Sequence, residues 1–299
     1  MSGVAALLRD GVLEERVPLG PLTTYKAGGP ARWFATIGSR PDLDRLIETG
    51  LAASMPILVL GRGSNLVVAD SGFDGLAVKL EGDFLAVAID DIEVIAGGAV
   101  PLPRLARTAV DAGVLGLEFF VGIPGSVGGA VRQNAGCFGV ETVDRLRFAT
   151  IVDLVTGGRR RVGPDDLDLA YRHSNVAAQD LVVEATFGGE PGEPERGREL
   201  MREITRWRRD HQPGGTLNAG SVFKNPSDIE AGRLLDELGL KEMRVGDVAV
   251  SSKHANFFVA GPDATAGDIY QLVKQVKDAV LERSGTNLEP EIQFVGFEE

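Results

Sequence analysis

Polar side chains are concentrated in one short segment of this chain, NAGSVFKNP at positions 218–226. Ser221 has a hydroxyl that could deliver a proton, Lys224 a cation that could pair with an anion, and Asn225 an amide that could bind a ligand. Serine, asparagine and glycine are also the commonest turn residues. On its own, the segment is explained equally well by a capped turn without chemistry.

A glycine turn after the apolar run 57–60 is a first candidate for phosphate binding. Its members are Gly61, Arg62, Gly63, Ser64 and Asn65. Backbone N–H groups without side chains can approach an anion closely. The dinucleotide fingerprint requires a helix directly after the glycines, whereas aliphatic residues resume here at 66–68. The pattern therefore favours a strand-loop-strand cradle over a Rossmann turn.

A second glycine segment supports the first. The stretch 122–139 contains six glycines in eighteen positions, and main-chain amides of such a loop can wrap a ligand that carries two phosphates. Its candidate binding residues are Gly122, Pro124, Gly125, Ser126, Gly128 and Gly129. A purely structural Ω-loop is the alternative, since either glycine segment alone is a common chance pattern.

Composition limits the classes of function. The chain has 299 residues, enough for two lobes, and a net charge of −12, which argues against a nucleic-acid or anionic membrane partner. One cysteine excludes an internal disulfide, and three scattered histidines predict no metal site. The N-terminus lacks the pattern of a signal peptide, and no apolar run has the length of a membrane span. We therefore expect a cytoplasmic protein.

The predicted elements alternate between helices and strands and indicate an α+β protein. We expect helices at 41–53 and 103–112, and strands at 76–80, 92–96, 148–155 and 181–187. A segment rich in glycine and proline, 188–197, separates them from three helical patterns. The last of these begins with a capping box at Thr265 and Asp268. The chain thus divides into domains 1–190, with a break near 75–80, and 198–299.

Six short motifs occur in an order that resembles one known family. They are TYKAGGPA at 24–31, GRGSN at 61–65, GIPGSVGG at 122–129, YRHS at 171–174, GSVFKNP at 220–226 and LEPE at 288–291. In this order they resemble the UDP-N-acetylenolpyruvoylglucosamine reductase (MurB) family. The absence of a long insertion between Tyr171 and Ser221 is similar to the shorter subtype of that family.

The resemblance implies a fold and a reaction. The first domain would have the FAD-binding fold of the vanillyl-alcohol oxidase (PCMH) type in two subdomains. The second would be an α+β substrate-binding domain, with a C-terminal strand at about 288–299 returning to the active site. NADPH would reduce the FAD, which would then reduce the enolpyruvyl ether of UDP-N-acetylglucosamine to UDP-N-acetylmuramic acid. The product would serve peptidoglycan synthesis and hence cell wall biogenesis, cell shape and cell division.

The resemblance also implies roles for particular residues. Arg172 would stabilise the enolate, since its planar cation matches a carboxylate. Glu291 would assist as a carboxyl in apolar surroundings, and Ser221 would protonate the substrate carbon. The expected substrate ligands are Lys224, Asn225, Asn256 and either Arg208 or Arg209, of which the first is preferred.

Two other classes of function stay open at this stage. A sugar or alcohol oxidase of the same fold would share the glycine loops but would not need both the Ser221 and the Arg172 motifs. A catalytically silent nucleotide-binding module would bind no flavin. A serine hydrolase is not predicted, because Ala219 and Phe223 stand where the nucleophile elbow has glycines.

Overall fold

The computed structural model describes residues 2–297 of the chain. Its strands are numbered in chain order: β1 Leu13–Pro18, β2 Pro30–Ile37, β3 Ile57–Val59, β4 Leu66–Val68, β5 Phe73–Leu80, β6 Val87–Asp90, β7 Glu93–Gly97, β8 Val114–Leu115, β9 Gly136–Cys137, β10 Val140–Glu141, β11 Leu146–Asp153, β12 Arg159–Val162, β13 Asp180–Gly188, β14 Glu190–Pro191, β15 Arg244–Val245, β16 Val248–Val250, β17 Phe258–Ala260 and β18 Gln293–Val295.

The α-helices are interspersed among these strands. They are α1 Ser2–Arg9, α2 Arg40–Glu48, α3 Leu102–Asp111, α4 Val127–Gln133, α5 Thr142–Arg145, α6 Pro194–His211, α7 Ala231–Glu237 and α8 Ala266–Ser284. Within residues 2–297, no helix combines the length and the apolar composition that a membrane span needs.

Local hydrogen bonds and backbone conformation set the ends of several elements, one as predicted and two earlier than predicted. The Thr265 hydroxyl accepts from the Asp268 amide at 3.0 Å, and the Asp268 carboxylate accepts from the Thr265 amide, so the capping box at the start of α8 is confirmed. Helix α2 ends at Glu48, earlier than the predicted 41–53, because Gly50 has a left-handed φ of 66° and a separate 3-10 turn follows. Strand β11 ends at Asp153, since its carboxylate accepts from the amides of Val155 and Thr156 and forms a turn.

Two compact units account for the described residues. Unit 1 consists of residues 2–17, 32–62 and 74–207, and unit 2 of residues 18–31, 63–73 and 208–297. The segment 188–197 lies inside unit 1, and two early segments belong to unit 2. The division at 1–190 and 198–299 was derived from composition and stays a prediction.

Unit 1 is built on a five-stranded antiparallel sheet in the order β12-β11-β13-β7-β6 and a four-stranded sheet in the order β1-β2-β5-β3. Strand β13 is buried on both faces: Val182 and Phe187 pack into one core, and Leu181 and Val183 into another. Burial on both faces explains why its sequence is continuously apolar instead of alternating.

Unit 2 joins distant parts of the chain. Strand β18 pairs in parallel with β4, with Gln293 opposite Leu66, and β15, β16 and β17 form an antiparallel sheet. Tyr25 is buried in the core of this unit, and its hydroxyl donates to the Phe258 carbonyl at 3.2 Å. Burial raises the pKa of Tyr25, so the phenol stays neutral and can donate. These contacts attach the segment 18–31 to the C-terminal residues.

Candidate active site

The first glycine segment belongs to unit 1 only at Gly61 and Arg62, and there Gly61 approaches the second segment. Gly61 follows β3, and a Cβ built on it would lie 2.7 Å from the Ser126 hydroxyl oxygen. A side chain at position 61 would require the Ser126 hydroxyl to move, and a glycine removes that conflict. The structure thus brings together two candidate phosphate-binding segments that are about sixty residues apart in the sequence.

The second segment contains a short helix that the sequence analysis missed. The Ser126 hydroxyl accepts from the Gly129 amide at 3.4 Å and caps α4. The amides of Val127 and Gly128 donate to the carbonyls of Val100 and Gly98. These two amides therefore serve the fold, and a cofactor contact at Gly128, which stays a prediction, would have to use other atoms.

Gly125 differs from the glycines that the fold requires. A Cβ on Gly125 would meet nothing nearer than Leu102 Cδ1 at 3.4 Å, an ordinary contact. A Cβ on Gly63, in unit 2, would lie 2.3 Å from the Leu22 carbonyl oxygen, and its φ is +61°. Packing alone explains the glycine at 63, whereas the surroundings of Gly125 would accept a Cβ, so packing does not explain the glycine there.

Arg172 is held in a tight turn of unit 1. Its φ is 54°, and its side chain is only 19% exposed. The guanidinium donates to the Gly136 carbonyl at 3.2 Å, lies 3.8 Å from a Glu141 carboxylate oxygen and contacts the Tyr171 ring at 5.0 Å. These contacts differ from those of an ordinary surface arginine and fix the direction of a permanent cation.

Asn256 holds the Ser221 segment in unit 2. Its side-chain oxygen accepts from the Phe223 amide at 2.9 Å, and its NH₂ donates to the Phe223 carbonyl at 2.8 Å. Its own carbonyl accepts from Val222, directly after Ser221. The Asn256 side chain thus makes the two backbone hydrogen bonds that a neighbouring strand would otherwise make with Phe223. The substrate contact expected of Asn256 stays a prediction.

Glu291 lies beside the same segment. Its amide donates to the Val222 carbonyl at 2.8 Å, and Phe223 pairs with Pro290 as an antiparallel bridge. Asn65 donates from its side chain to the Glu291 carbonyl at 2.9 Å. One residue expected to bind the cofactor therefore also anchors a residue expected to act in catalysis.

The predicted substrate ligands of unit 2 have partners of their own. Lys224 Nζ lies 2.6 Å from Glu289 Oε1, and the Asn225 side-chain oxygen accepts from the Ala231 amide at 3.0 Å. Arg208 is half-buried, and its Nε donates to Gln212 at 2.7 Å. Arg209, in contrast, has a side chain that is 73% exposed and pairs with Asp210. Arg208 is the less exposed of the two, and its role as the ligand stays a prediction.

Comparison with known proteins decides the family. Residues 212–295 match the model of the UDP-N-acetylenolpyruvoylglucosamine reductase C-terminal domain, and residues 31–163 match that of an FAD binding domain. A UDP-N-acetylenolpyruvoylglucosamine reductase of Synechococcus sp. (strain CC9311) is 41% identical over 307 residues, covering 99% of this chain and 97% of that protein. Another, of Caulobacter vibrioides, is 40% identical over 283 residues and covers 93% of each chain. The chain belongs to the UDP-N-acetylenolpyruvoylglucosamine reductase family.

A solved structure of this reductase family agrees. The crystal structure of the enzyme from Thermus caldophilus superposes with a TM-score of 0.82 at 36% identity, covering 94% of this chain and 98% of that one. The predicted family, the α+β class and the FAD-binding fold are therefore confirmed. The roles of the individual site residues stay predictions.

FAD is the cofactor of this reductase family, and unit 1 offers it a suitable surface. The approach of Gly61 to Ser126 and the lack of a side chain at Gly125 leave main chain accessible where side chains would otherwise stand. We expect these residues to face the phosphates of the cofactor.

Substitution of Gly125 by leucine should therefore remove most of the bound flavin while the fold persists. A Cβ at position 125 would meet only Leu102 and Ile123, both at ordinary contact distances, so the backbone tolerates a side chain there. The ratio of flavin to protein absorbance and the Tm measure the two effects. The matched control is Gly38→Leu, since a Cβ there meets only Asp42 Oδ2 at 4.0 Å. Full flavin content in Gly125→Leu would place the phosphates elsewhere.

Several residues that position the site had no signal in the sequence. Asn134 and Glu141 contact the Arg172 turn, and Glu289 pairs with Lys224. Asparagine before a small residue or glutamate in a polar stretch is too common to single out. Asn134 is the left-handed residue that ends α4, a position that asparagine often takes, but α4 itself was not predicted.

Proposed function

We propose that this chain reduces the enolpyruvyl ether of UDP-N-acetylglucosamine to UDP-N-acetylmuramic acid, with NADPH as reductant and FAD as cofactor. Similarity to the reductase family over nearly the whole chain carries this proposal. The Ser221 and Arg172 segments support it, since each is held by buried hydrogen bonds or a turn that a plain surface loop would not need. The predicted alternative, an oxidase on the same fold, is not favoured by these relatives.

FAD, when bound at the glycine segments of unit 1, would supply the hydride chemistry that connects NADPH with the terminal alkene carbon of the substrate. Hydride addition there leaves an electron pair on the adjacent carbon, delocalised into its carboxylate. We assign stabilisation of this charge to Arg172, since a fixed cation aimed at developing charge can lower a barrier by about 3 kcal/mol.

A proton must then reach the carbon that carries the charge. We assign this transfer to the Ser221 hydroxyl, and the chain segment that carries it is fixed by Asn256. Glu291, whose backbone bonds to the residue after Ser221, is assigned to assist by hydrogen bonding or proton supply. One hydride and one proton complete the reduction of the double bond, and no atom leaves the substrate.

The product places the chain in the synthesis of peptidoglycan precursors. We propose the cytoplasm as its compartment, since NADPH and sugar nucleotides are produced there. Supply of the precursor would then support cell wall growth, cell shape and cell division.

Steady-state kinetics test the proposed function directly. NADPH oxidation should require the enolpyruvyl substrate and proceed at the same rate with and without oxygen. The product should be heavier than the substrate by two hydrogen atoms. Oxidation that needs oxygen instead of this substrate would favour the oxidase and contradict the proposal.

The ion pair between Lys224 and Glu289 predicts a gain in substrate affinity on substitution. A diphosphate that binds Lys224 would compete with the Glu289 carboxylate for the same cation. Glu289→Gln removes that competitor, and exposed ion pairs are worth about 0.2–1 kcal/mol, so we expect a KM about 1.4- to fivefold lower with kcat unchanged. Glu237→Gln, which breaks the exposed pair with Arg233, is the matched control. A higher KM in Glu289→Gln would remove Lys224 from diphosphate binding.

A further inference from the structure

Asn134 is a fully buried polar residue at the end of α4 in unit 1. It adopts a left-handed conformation with a φ of 42°, which asparagine tolerates better than most residues. A glycine would satisfy this backbone conformation at least as well. The requirement for a carboxamide must therefore come from its side-chain contacts.

Those contacts converge on the Arg172 turn. The Asn134 NH₂ donates to the Glu141 carboxylate at 2.8 Å and to the Ala170 carbonyl at 3.1 Å. Its oxygen accepts from the Val143 amide at 2.9 Å. One buried side chain thus connects the end of α4, the start of α5 and the turn that carries Arg172.

One of these two acceptors closes the Arg172 turn, and the other lies near the Arg172 guanidinium. Ala170 exchanges two backbone hydrogen bonds with His173, and these close the turn around Arg172. The other oxygen of Glu141 lies 3.8 Å from the Arg172 guanidinium. A left-handed φ at an arginine costs about 1–2 kcal/mol, so the surroundings must maintain this conformation.

We propose that Asn134 is a positioning residue for catalysis, which fixes the Glu141 carboxylate and the Ala170 turn so that the Arg172 guanidinium meets the carboxylate of the substrate. The proposal rests on the proposed function. A displacement of about 1 Å can slow a reaction about a hundredfold, so loss of these two hydrogen bonds should be visible in the rate.

The test uses Asn134→Asp and Asn134→Gly in the FAD-loaded enzyme. Aspartate keeps an acceptor for Val143 but loses both donated bonds and places a second carboxylate against Glu141. Glycine keeps the left-handed backbone and removes the side chain. We expect reduction of the substrate to slow about ten- to hundredfold in both, mainly in kcat, while flavin reduction by NADPH and flavin content change little. The Tm should fall in both, because buried hydrogen bonds are lost.

A rescue variant separates positioning from a general structural role. In Asn134→Asp with Glu141→Gln, the glutamine NH₂ can donate to the aspartate, and the glutamine oxygen can face Arg172. The pair then regains a hydrogen bond with reversed direction, and we expect a rate at least about tenfold above that of Asn134→Asp alone. Asn175→Asp is the control, because Asn175 is exposed and its side-chain NH₂ donates to the Asp166 carbonyl at 2.8 Å, away from Arg172 and Glu141.

Normal substrate reduction by a folded Asn134→Gly enzyme would overturn the proposal. If that variant does not fold, Glu141→Gln tests the proposal in its place. The Glu141 side chain is 31% exposed, so this substitution should leave the core intact. An equal slowing of both half-reactions in Glu141→Gln would also overturn it. Wild-type enzyme that fails to reduce the substrate would contradict the proposed function itself, a result distinct from unaffected variants of an active enzyme.

Discussion

Ser221→Ala is expected to slow reduction of the enolpyruvyl substrate about a hundredfold to ten-thousandfold, the range for a positioned proton donor. Reduction of the flavin by NADPH should stay near the wild-type rate, because that step needs no proton from the Ser221 segment. The loss should appear in kcat with little change in substrate affinity, as expected for an interaction made chiefly in the transition state.

Rapid mixing can follow the two half-reactions of Ser221→Ala separately by flavin absorbance. The segment should keep its shape in the variant, because Asn256 binds the backbone of Phe223 and not the serine side chain. Ser227→Ala, an exposed serine that follows the same segment, is the control. Equal slowing of both half-reactions would show that Ser221 supports the structure. An unchanged rate of substrate reduction would show that Ser221 has no catalytic role and that its segment is only a turn.

Glu291→Gln is expected to bind substrate normally and to lose about a hundredfold or more of turnover, since glutamine can donate a hydrogen bond but cannot give up a proton. The backbone bonds of this residue to Val222 and Asn65 do not involve the side chain, so the local fold should persist. Calorimetry gives the substrate affinity, and steady-state assays give kcat.

Glu289→Gln is the matched control for Glu291→Gln, because it lies two residues away and should affect KM instead of kcat. The same substitution is thus expected to change KM at position 289 and kcat at position 291. An unchanged kcat in Glu291→Gln would remove this carboxyl from the mechanism.

Local patterns predicted those parts of the fold that depend on neighbouring residues. The capping box at Thr265 and the buried positions of α8 follow from hydrogen bonding and periodicity within one helix. The strand-loop-strand arrangement around Gly61 followed from the aliphatic residues on both sides of it. Helix α4 was missed because glycine is a poor helix former, and its two ends are set by Ser126 and Asn134.

Long-range pairing explains what the sequence could not predict. The segments 18–31 and 63–73 belong to unit 2 because Tyr25 enters its core and β4 pairs with β18. The carboxamides of Asn134 and Asn256 bind partners more than thirty residues away. No local pattern records such contacts. The order of the six motifs did predict the family, because that order reflects the whole chain.

An anaerobic titration in two steps tests the central claim most directly. Addition of NADPH to the yellow enzyme should bleach the flavin absorbance, and one equivalent of the enolpyruvyl substrate should then restore it, with UDP-N-acetylmuramic acid as the product. Flavin that stays bleached after the substrate is added, and recovers only when oxygen is admitted, would contradict the assignment of this chain as a reductase of the enolpyruvyl ether.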